Sequence, residues 1–234
     1  RNYWGGSSHA TTHMLDAMHY RGLLRVARRE NGIRVYAAQR HEPALLDEGE
    51  RRARLDALVD VAVNIYAPLP ASTLSYYVRR LRYAVPQWQN EIAAALHRAR
   101  ERLAHARVAG VEWYWPDEEN PRGGVAPESV QLLAPFDPVV HDRTRFELFW
   151  GWTYRFEAYT PAPKRKLGYY ALPLLWRDRV IGWSNLSVNN GQLVAETRFV
   201  NGEPSDPAFS RELSAELERM RIFLGVDRSL RPES

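Results

Sequence analysis

The 234-residue chain has no cysteine, so neither disulfides nor thiolate metal sites are available to it, which suits a reducing compartment. Long apolar runs are missing too. None approaches the roughly 18 residues expected of a membrane span, and no membrane partner is expected. No signal peptide is visible. Low-complexity tracts are absent, which argues against wholesale disorder. Lysine is missing from the first half: residues 1–116 hold 17 arginines, no lysine and 11 acidic residues, a net charge of +6. Residues 117–234 carry −2, so the overall +4 hides an uneven spread. A basic half suits nucleic acid, and it equally suits a solvated arginine-rich surface.

What is present is ordinary for a globular protein: 45% hydrophobic and 26% charged residues. The length allows one large domain or two to three small ones. The chain opens on Arg1 in what reads as the middle of a domain, and the expectation is a C-terminal piece of a longer protein.

Two short strands flank Glu30-Asn31-Gly32. Asn-Gly is the preferred filling of a two-residue type I′ hairpin, because both positions need positive φ. Centring the turn there pairs Glu30 with Ile33, Arg29 with Arg34, and Ala27 with Tyr36. Like charges placed opposite each other repel. Together with Arg25 and Arg28, this marks the tip as a place to meet an anion. Upstream, Ser7 or Ser8 caps a helix running to about Arg21, with Gly22 as its stop and Leu15, Met18 and Thr11 or Met14 facing inward. Helix followed by basic hairpin is the outline of a winged helix, and DNA is the leading anion.

Pro43 breaks the chain. A helix from about Gly49 follows, with Leu55, Leu58, Val59, Ala62, Val63 and Tyr66 on one face. Ser72 caps the next, with Leu74, Tyr77, Val78 and Leu81 inward and Arg79, Arg80 and Arg82 outward. A third carries Ile92, Leu96, Ala99 and Leu103, with Arg98, Arg100 and Arg102 outside. Residues 108–115 read as one strand. This is a second winged-helix plan. Beyond a polar loop at 116–128 the pattern turns to strands at 153–159, 168–175, 180–188 and 193–200, after a short apolar run at 130–133 and a short helix at 142–150. A final helix opens at Ser205-Asp206-Pro207, with Phe209, Leu213, Leu217, Met220 and Leu224 inward. The expected fold is α+β: tandem winged-helix units, then an antiparallel β-rich half-barrel closed by a C-terminal helix. Its domains are 1–42, 43–116 and 117–234.

Three strings stand out; the second and third together are specific, and the first, helix plus hairpin, is not specific alone. They are Ser8-His9-Ala10-Thr11-Thr12 continuing to Arg29, Pro135-Phe136-Asp137-Pro138, and Lys164-Arg165-Lys166-Leu167-Gly168-Tyr169-Tyr170 with Leu172-Pro173. In order and spacing they resemble the YcaQ/AlkZ winged-helix DNA glycosylases over nearly the whole chain. The resemblance implies three tandem winged helices with a β-rich C-terminal domain. It also implies a monofunctional hydrolase that excises N-alkylated purines and in some members unhooks interstrand crosslinks. No cofactor is implied. The partner is double-stranded DNA carrying alkylated bases, the protein a monomer, and the setting the cytoplasm and its nucleoid. The family's Gln-x-Asp or Gln-x-Gln motif belongs to the first winged helix, which nothing here matches, so the catalytic winged helix is expected upstream of Arg1 and no residue of this chain is assigned to catalysis. Where the family carries a charged Arg…Asp-x-Lys stretch, this chain has Ile181-Gly182-Trp183-Ser184-Asn185-Leu186-Ser187-Val188, as in a divergent subgroup.

Gln87-Trp88-Gln89 fits Gln-x-Gln literally, but in the wrong context; solvent-exposed or capping groups are the simpler reading. The phosphate-contact candidates are Arg25, Arg28, Arg29 and Arg34 on the hairpin, Ser8, Thr11, Thr12 and His13 at the helix start, and Lys164, Arg165 and Lys166, the only three-residue basic run in the sequence. The rival for each is a solvated charge. His9, His13 and His19 lack matching carboxylates, so capping or core roles outrank metal binding. Asp137 reads as a turn carboxylate and Asp142 as an ion-pair partner or helix start. Trp113, Trp115, Trp150, Trp152, Trp176 and Trp183 read mostly as core. Two rival functions stand beside the glycosylase: a non-catalytic winged-helix DNA-binding protein and a protein-interaction module.

Overall fold

The computed structural model describes residues 9–39, 46–118 and 124–226. The chain divides into two compact units, residues 1–51 and 52–234.

In the first unit, α1 (Ala10–Tyr20) precedes the antiparallel pair β1 (Leu24–Glu30) and β2 (Ile33–Ala38). The cap of α1 is His9, without a side-chain hydrogen bond, rather than a serine; Ser7 and Ser8 lie outside the described residues. Gly22 at φ 74° ends the helix, where the Leu23 amide bonds back to the Met18 carbonyl. Leu15 and Met18 are half-buried as expected, but Thr11 and Met14 are exposed. Asn31 and Gly32 take φ of 47° and 80°, as a type I′ turn requires. Glu30 opposes Ile33 and Arg29 opposes Arg34. A bulge at Ala27 then shifts the ladder, so Tyr36 faces Val26 and not Ala27. The unit ends with the first turn of α2 (Glu48–Tyr66), where Asp47 and Glu50 exchange side-chain and backbone hydrogen bonds in a capping box.

The second unit takes up the rest of α2. It continues with β3 (Leu69–Pro70), α3 (Ala71–Ala84), a 3₁₀ turn (Pro86–Glu91), α4 (Ile92–Arg102), β4 (Ala104–Val108) and β5 (Val111–Trp115). Leu55, Val59 and Val63 of α2 pack with Leu74, Val78, Ile92, Leu96 and Tyr114 in one core. The sheet order is β3-β5-β4. The expected single strand over 108–115 is instead a hairpin, turning at Ala109 and Gly110. Ser72 lies inside α3; Pro70 holds the cap position.

Beyond this come β6 (Val130–Leu132), α5 (Pro138–His141), α6 (Arg143–Trp150), β7 (Leu172–Trp176), β8 (Arg179–Asn189), β9 (Gln192–Phe199) and α7 (Pro207–Phe223). The four strands pair antiparallel in the order β6-β7-β8-β9, and no closed barrel forms among the described residues. Residues 153–159 are irregular, not a strand, and β7 starts at Leu172. Tyr154 and Glu157 leave ladder geometry to make side-chain bonds, to the Ala171 carbonyl and to the Lys166 and Leu167 amides. Asp137 and Asp142 cap α5 and α6. Trp176 is buried, and Trp113, Trp115, Trp150, Trp152 and Trp183 are partly buried.

Helix α7 buries Phe209 at its start, and Leu224 past its end is exposed. The expected apolar stripe is interrupted by Glu216, which is buried and accepts from the Leu132 amide at 2.8 Å. Arg219 donates to the Val130 carbonyl at 3.1 Å and pairs with Glu216 at 2.8 Å. A side-chain pair thus occupies backbone groups of edge strand β6 that another chain could otherwise bind.

The α2–α4 core and the sheet region are stitched within this unit. Thr73 donates to Asp142, Tyr77 bonds His141 at 3.1 Å, and Trp113 stacks on Phe149 at 5.0 Å. Arg145, buried on α6, donates to the carbonyls of Tyr66 and Pro138. No helix among the described residues is long and apolar enough to cross a membrane.

Candidate nucleic-acid interface

Three groups of basic side chains stand out. The first is the β1–β2 ribbon, where Arg25, Arg28, Arg29 and Arg34 are all exposed. Their partners differ. Arg28 pairs with Glu30 at 2.6 Å, both well exposed, a contact that competes weakly with other anions. Arg34 donates to Asp16 of α1 at 3.2 Å, and the Tyr36 hydroxyl reaches the same oxygen at 3.1 Å. Arg29 donates to the neutral Gly32 carbonyl at 3.2 Å. No ion pair holds Arg25 or Arg29 among the described residues, so both keep their charge for an outside partner.

Beneath the ribbon runs a groove of about 380 Å³, lined by Thr12, Leu15, Asp16, Ile33, Arg34 and Tyr36. Thr11, Thr12 and His13 are exposed on the first turn of α1. Thr12 shares the groove with Arg34; Thr11 and His13 do not line it. His19 bonds the Leu24 carbonyl at 3.0 Å, joining helix to ribbon. Among the described residues no three His, Asp or Glu side chains gather as metal ligands.

The second group is the Lys164-Arg165-Lys166 loop. Lys164 closes a 3₁₀ turn (Ala162–Lys164) and is exposed, as is Lys166. Arg165 is drawn in: it donates to the Thr160 carbonyl at 2.8 Å and lies over the Tyr169 ring at 4.9 Å. The loop holds its shape through Glu157. That buried carboxylate accepts from the Lys166 and Leu167 amides, each at 2.7 Å. Burial works against its ionisation, but the backbone donors of residues 166–168 outweigh burial and hold its pKa below the ordinary value. Gly168 at φ 124° lets the chain pass Asn185, whose side chain a Cβ there would meet at 2.3 Å. The loop borders a cleft of about 660 Å³ shared with Tyr169, Tyr170, Asn185, Glu196 and Arg198.

The third group escaped selection as a site from sequence. On α3, Arg80 lies over Tyr76 at 5.1 Å and Tyr83 at 5.7 Å, and Arg82 lies over Tyr83 at 4.7 Å. The signal was present as tyrosines three and four residues from an arginine, spacing that shares one helix face. Between α3 and α4 a groove of about 380 Å³ is lined by Arg79, Arg82, Gln89, Asn90 and Leu96, among others. Gln87 and Gln89 are exposed on the 3₁₀ turn, while Trp88 between them packs on the core.

These groups can hold phosphate, and the aromatic rings beside Arg80 and Arg165 can meet a base or sugar. No solved structure matches the chain. The family model of the AlkZ-like DNA glycosylases matches residues 1–223. With nearly its whole length matched, the chain belongs to the AlkZ-like DNA glycosylase family.

Proposed function

We propose that this chain is the DNA-holding portion of a monofunctional glycosylase that hydrolyses the N-glycosidic bond of N-alkylated purines, interstrand crosslinks included. Its partner is double-stranded DNA carrying such bases, and it works as a monomer in the cytoplasm, at the nucleoid. In this reading α1 with β1–β2 is the recognition helix and wing of one winged helix, within residues 1–42. Residues 43–116 form a second, whose order of helices and whose β3-β5-β4 sheet suit that plan. Residues 117–234 form the β-rich domain. The observation that carries the reading is the exposed ribbon with Arg29 opposite Arg34 at its tip, Arg29 having no carboxylate partner among the described residues.

The chemistry asks little of the protein. An N7- or N3-alkylated purine is already cationic, so its glycosidic bond is weakened, and hydrolysis consumes only water. The enzyme must grip the backbone, expose the damaged base and stabilise oxocarbenium-like charge; exposing a base costs a few kcal/mol. Arginines and lysines on several elements supply the grip. The bond-breaking pair is not assigned to Gln87 and Gln89, since both face solvent on a turn whose central tryptophan is a core residue.

The reading is tested by titrating the chain against a duplex with one N7-methylguanine at several salt concentrations. Affinity should fall steeply with salt, as counterion release requires. A Gln87→Ala variant, at an exposed position outside the groove between α3 and α4, should bind like the parent. Binding that ignores salt, or no binding, would refute the proposal.

A further inference from the structure

In a helical unit of this plan the last helix before the hairpin is the obvious one to offer to DNA, yet the charges are arranged otherwise. On α4, Arg98 is held bidentate by Asp56 of α2 at 2.7–3.2 Å, and Arg102 pairs with Asp60 of α2 at 2.6 Å. Arg100 donates to the Ser75 hydroxyl, and His97 pairs with Glu101. The other exposed residues of α4 are Ala93 and Ala94, in its first turn. Helix α4 is thus largely neutralised from within the fold.

Helix α3 shows the opposite pattern. Arg79, Arg80 and Arg82 are exposed, and among the described residues no carboxylate pairs with them. Arg80 and Arg82 have rings beside them instead, those of Tyr76 and Tyr83, which stand 50% and 66% exposed, and Arg82 also donates to the Tyr83 hydroxyl at 2.7 Å. Two exposed tyrosines beside guanidiniums that have no carboxylate among the described residues suit a partner with both π-faces and negative charge. Duplex backbone offers the charge alone. A strand with an unpaired base offers both, and stacking on aromatics beside a basic groove is how such strands are held.

Resting on the proposed DNA-binding reading, we infer that the outer face of α3 binds a DNA strand carrying an unpaired base, with phosphates on Arg79 and Arg82 and the base stacked at Tyr76 or Tyr83. The groove beside Arg79, Arg82, Gln89 and Asn90 gives the strand its path. This face would hold the strand opened around a lesion, while intact duplex is gripped elsewhere.

The test is fluorescence anisotropy with the full chain and two labelled probes: a single-stranded oligonucleotide and the same sequence fully paired. Three variants are compared after circular dichroism has shown native folding: Tyr76→Ala/Tyr83→Ala, Arg79→Gln/Arg80→Gln/Arg82→Gln, and Arg29→Gln on the ribbon. The tyrosine variant should bind the single strand about tenfold more weakly or worse, with duplex affinity within about twofold of the parent. The triple arginine variant should flatten the salt slope on the single strand by about 1.4 units, at roughly 0.7 for each of the two phosphates assigned to Arg79 and Arg82. Equal losses on both probes would overturn the stacked base. An unchanged slope in the triple variant would overturn the α3 face altogether. If Arg29→Gln still weakens duplex binding, that failure is confined to α3; if the parent binds neither probe, the DNA-binding reading falls with it.

Discussion

Arg34 of β2 and Asp16 of α1 form an ion pair at 3.2 Å, and that contact separates two arginines that sit directly opposite each other. Arg34 is held by a carboxylate of its own fold; Arg29 donates only to the neutral Gly32 carbonyl and has no carboxylate partner among the described residues. The Asp16→Asn variant should therefore bind duplex more tightly and with a steeper salt dependence, since it releases Arg34 and removes a charge that repels phosphate. Arg34→Gln should cost less affinity than Arg29→Gln. Anisotropy titrations of the three variants at matched salt check the order. Equal losses at Arg29 and Arg34, with no gain at Asp16, would contradict it.

Glu157 links a buried carboxylate to the shape of a basic loop. Glu157→Gln should speed hydrogen exchange at the Lys166 and Leu167 amides. Its folded pKa is held below 4.5, so its stabilisation is full above the unfolded value and lost as pH falls through the lower folded one. Thermal melts of parent and variant should thus differ most near neutrality and converge once the pH falls below the ordinary glutamate range and through the lowered folded pKa. A gap that persists unchanged at low pH would rule out the charged carboxylate as the cause.

Arg145 joins α6 to the end of α2 through the Tyr66 and Pro138 carbonyls, and burial lowers its pKa. In Arg145→Met both carbonyls lose a donor, at about 1–3 kcal/mol each, while relief of the desolvated charge offsets part of that. A net loss of about 2 kcal/mol is expected, read as a lower urea midpoint at unchanged slope. No change in midpoint would mean the contact contributes nothing net.

Local rules made some of this architecture legible in the sequence and left other parts hidden. The ribbon was readable because Asn31 and Gly32 both suit positive φ. The hairpin at 109–110 was not, because alanine rarely adopts the φ of 50° that Ala109 takes. The apolar spacing of α2 located its buried face. On α7 the same rule missed Glu216, whose burial depends on an edge strand far away in sequence. The alternation at 153–159 suggested a strand, but Tyr154 and Glu157 serve side-chain bonds that no period encodes. The arginines of α3 and α4 looked alike in sequence. Only the packing of Asp56 and Asp60 against α4 separates the neutralised set from the free one.

The most direct measurement is the slope of log affinity against log salt for the chain and its Arg29→Ala variant on the same duplex. If the ribbon grips phosphate, losing one contact should flatten the slope by about one unit, at roughly 0.9 per phosphate. A variant slope that overlays the parent's would show that Arg29 touches no phosphate and that the ribbon is not where this protein meets DNA.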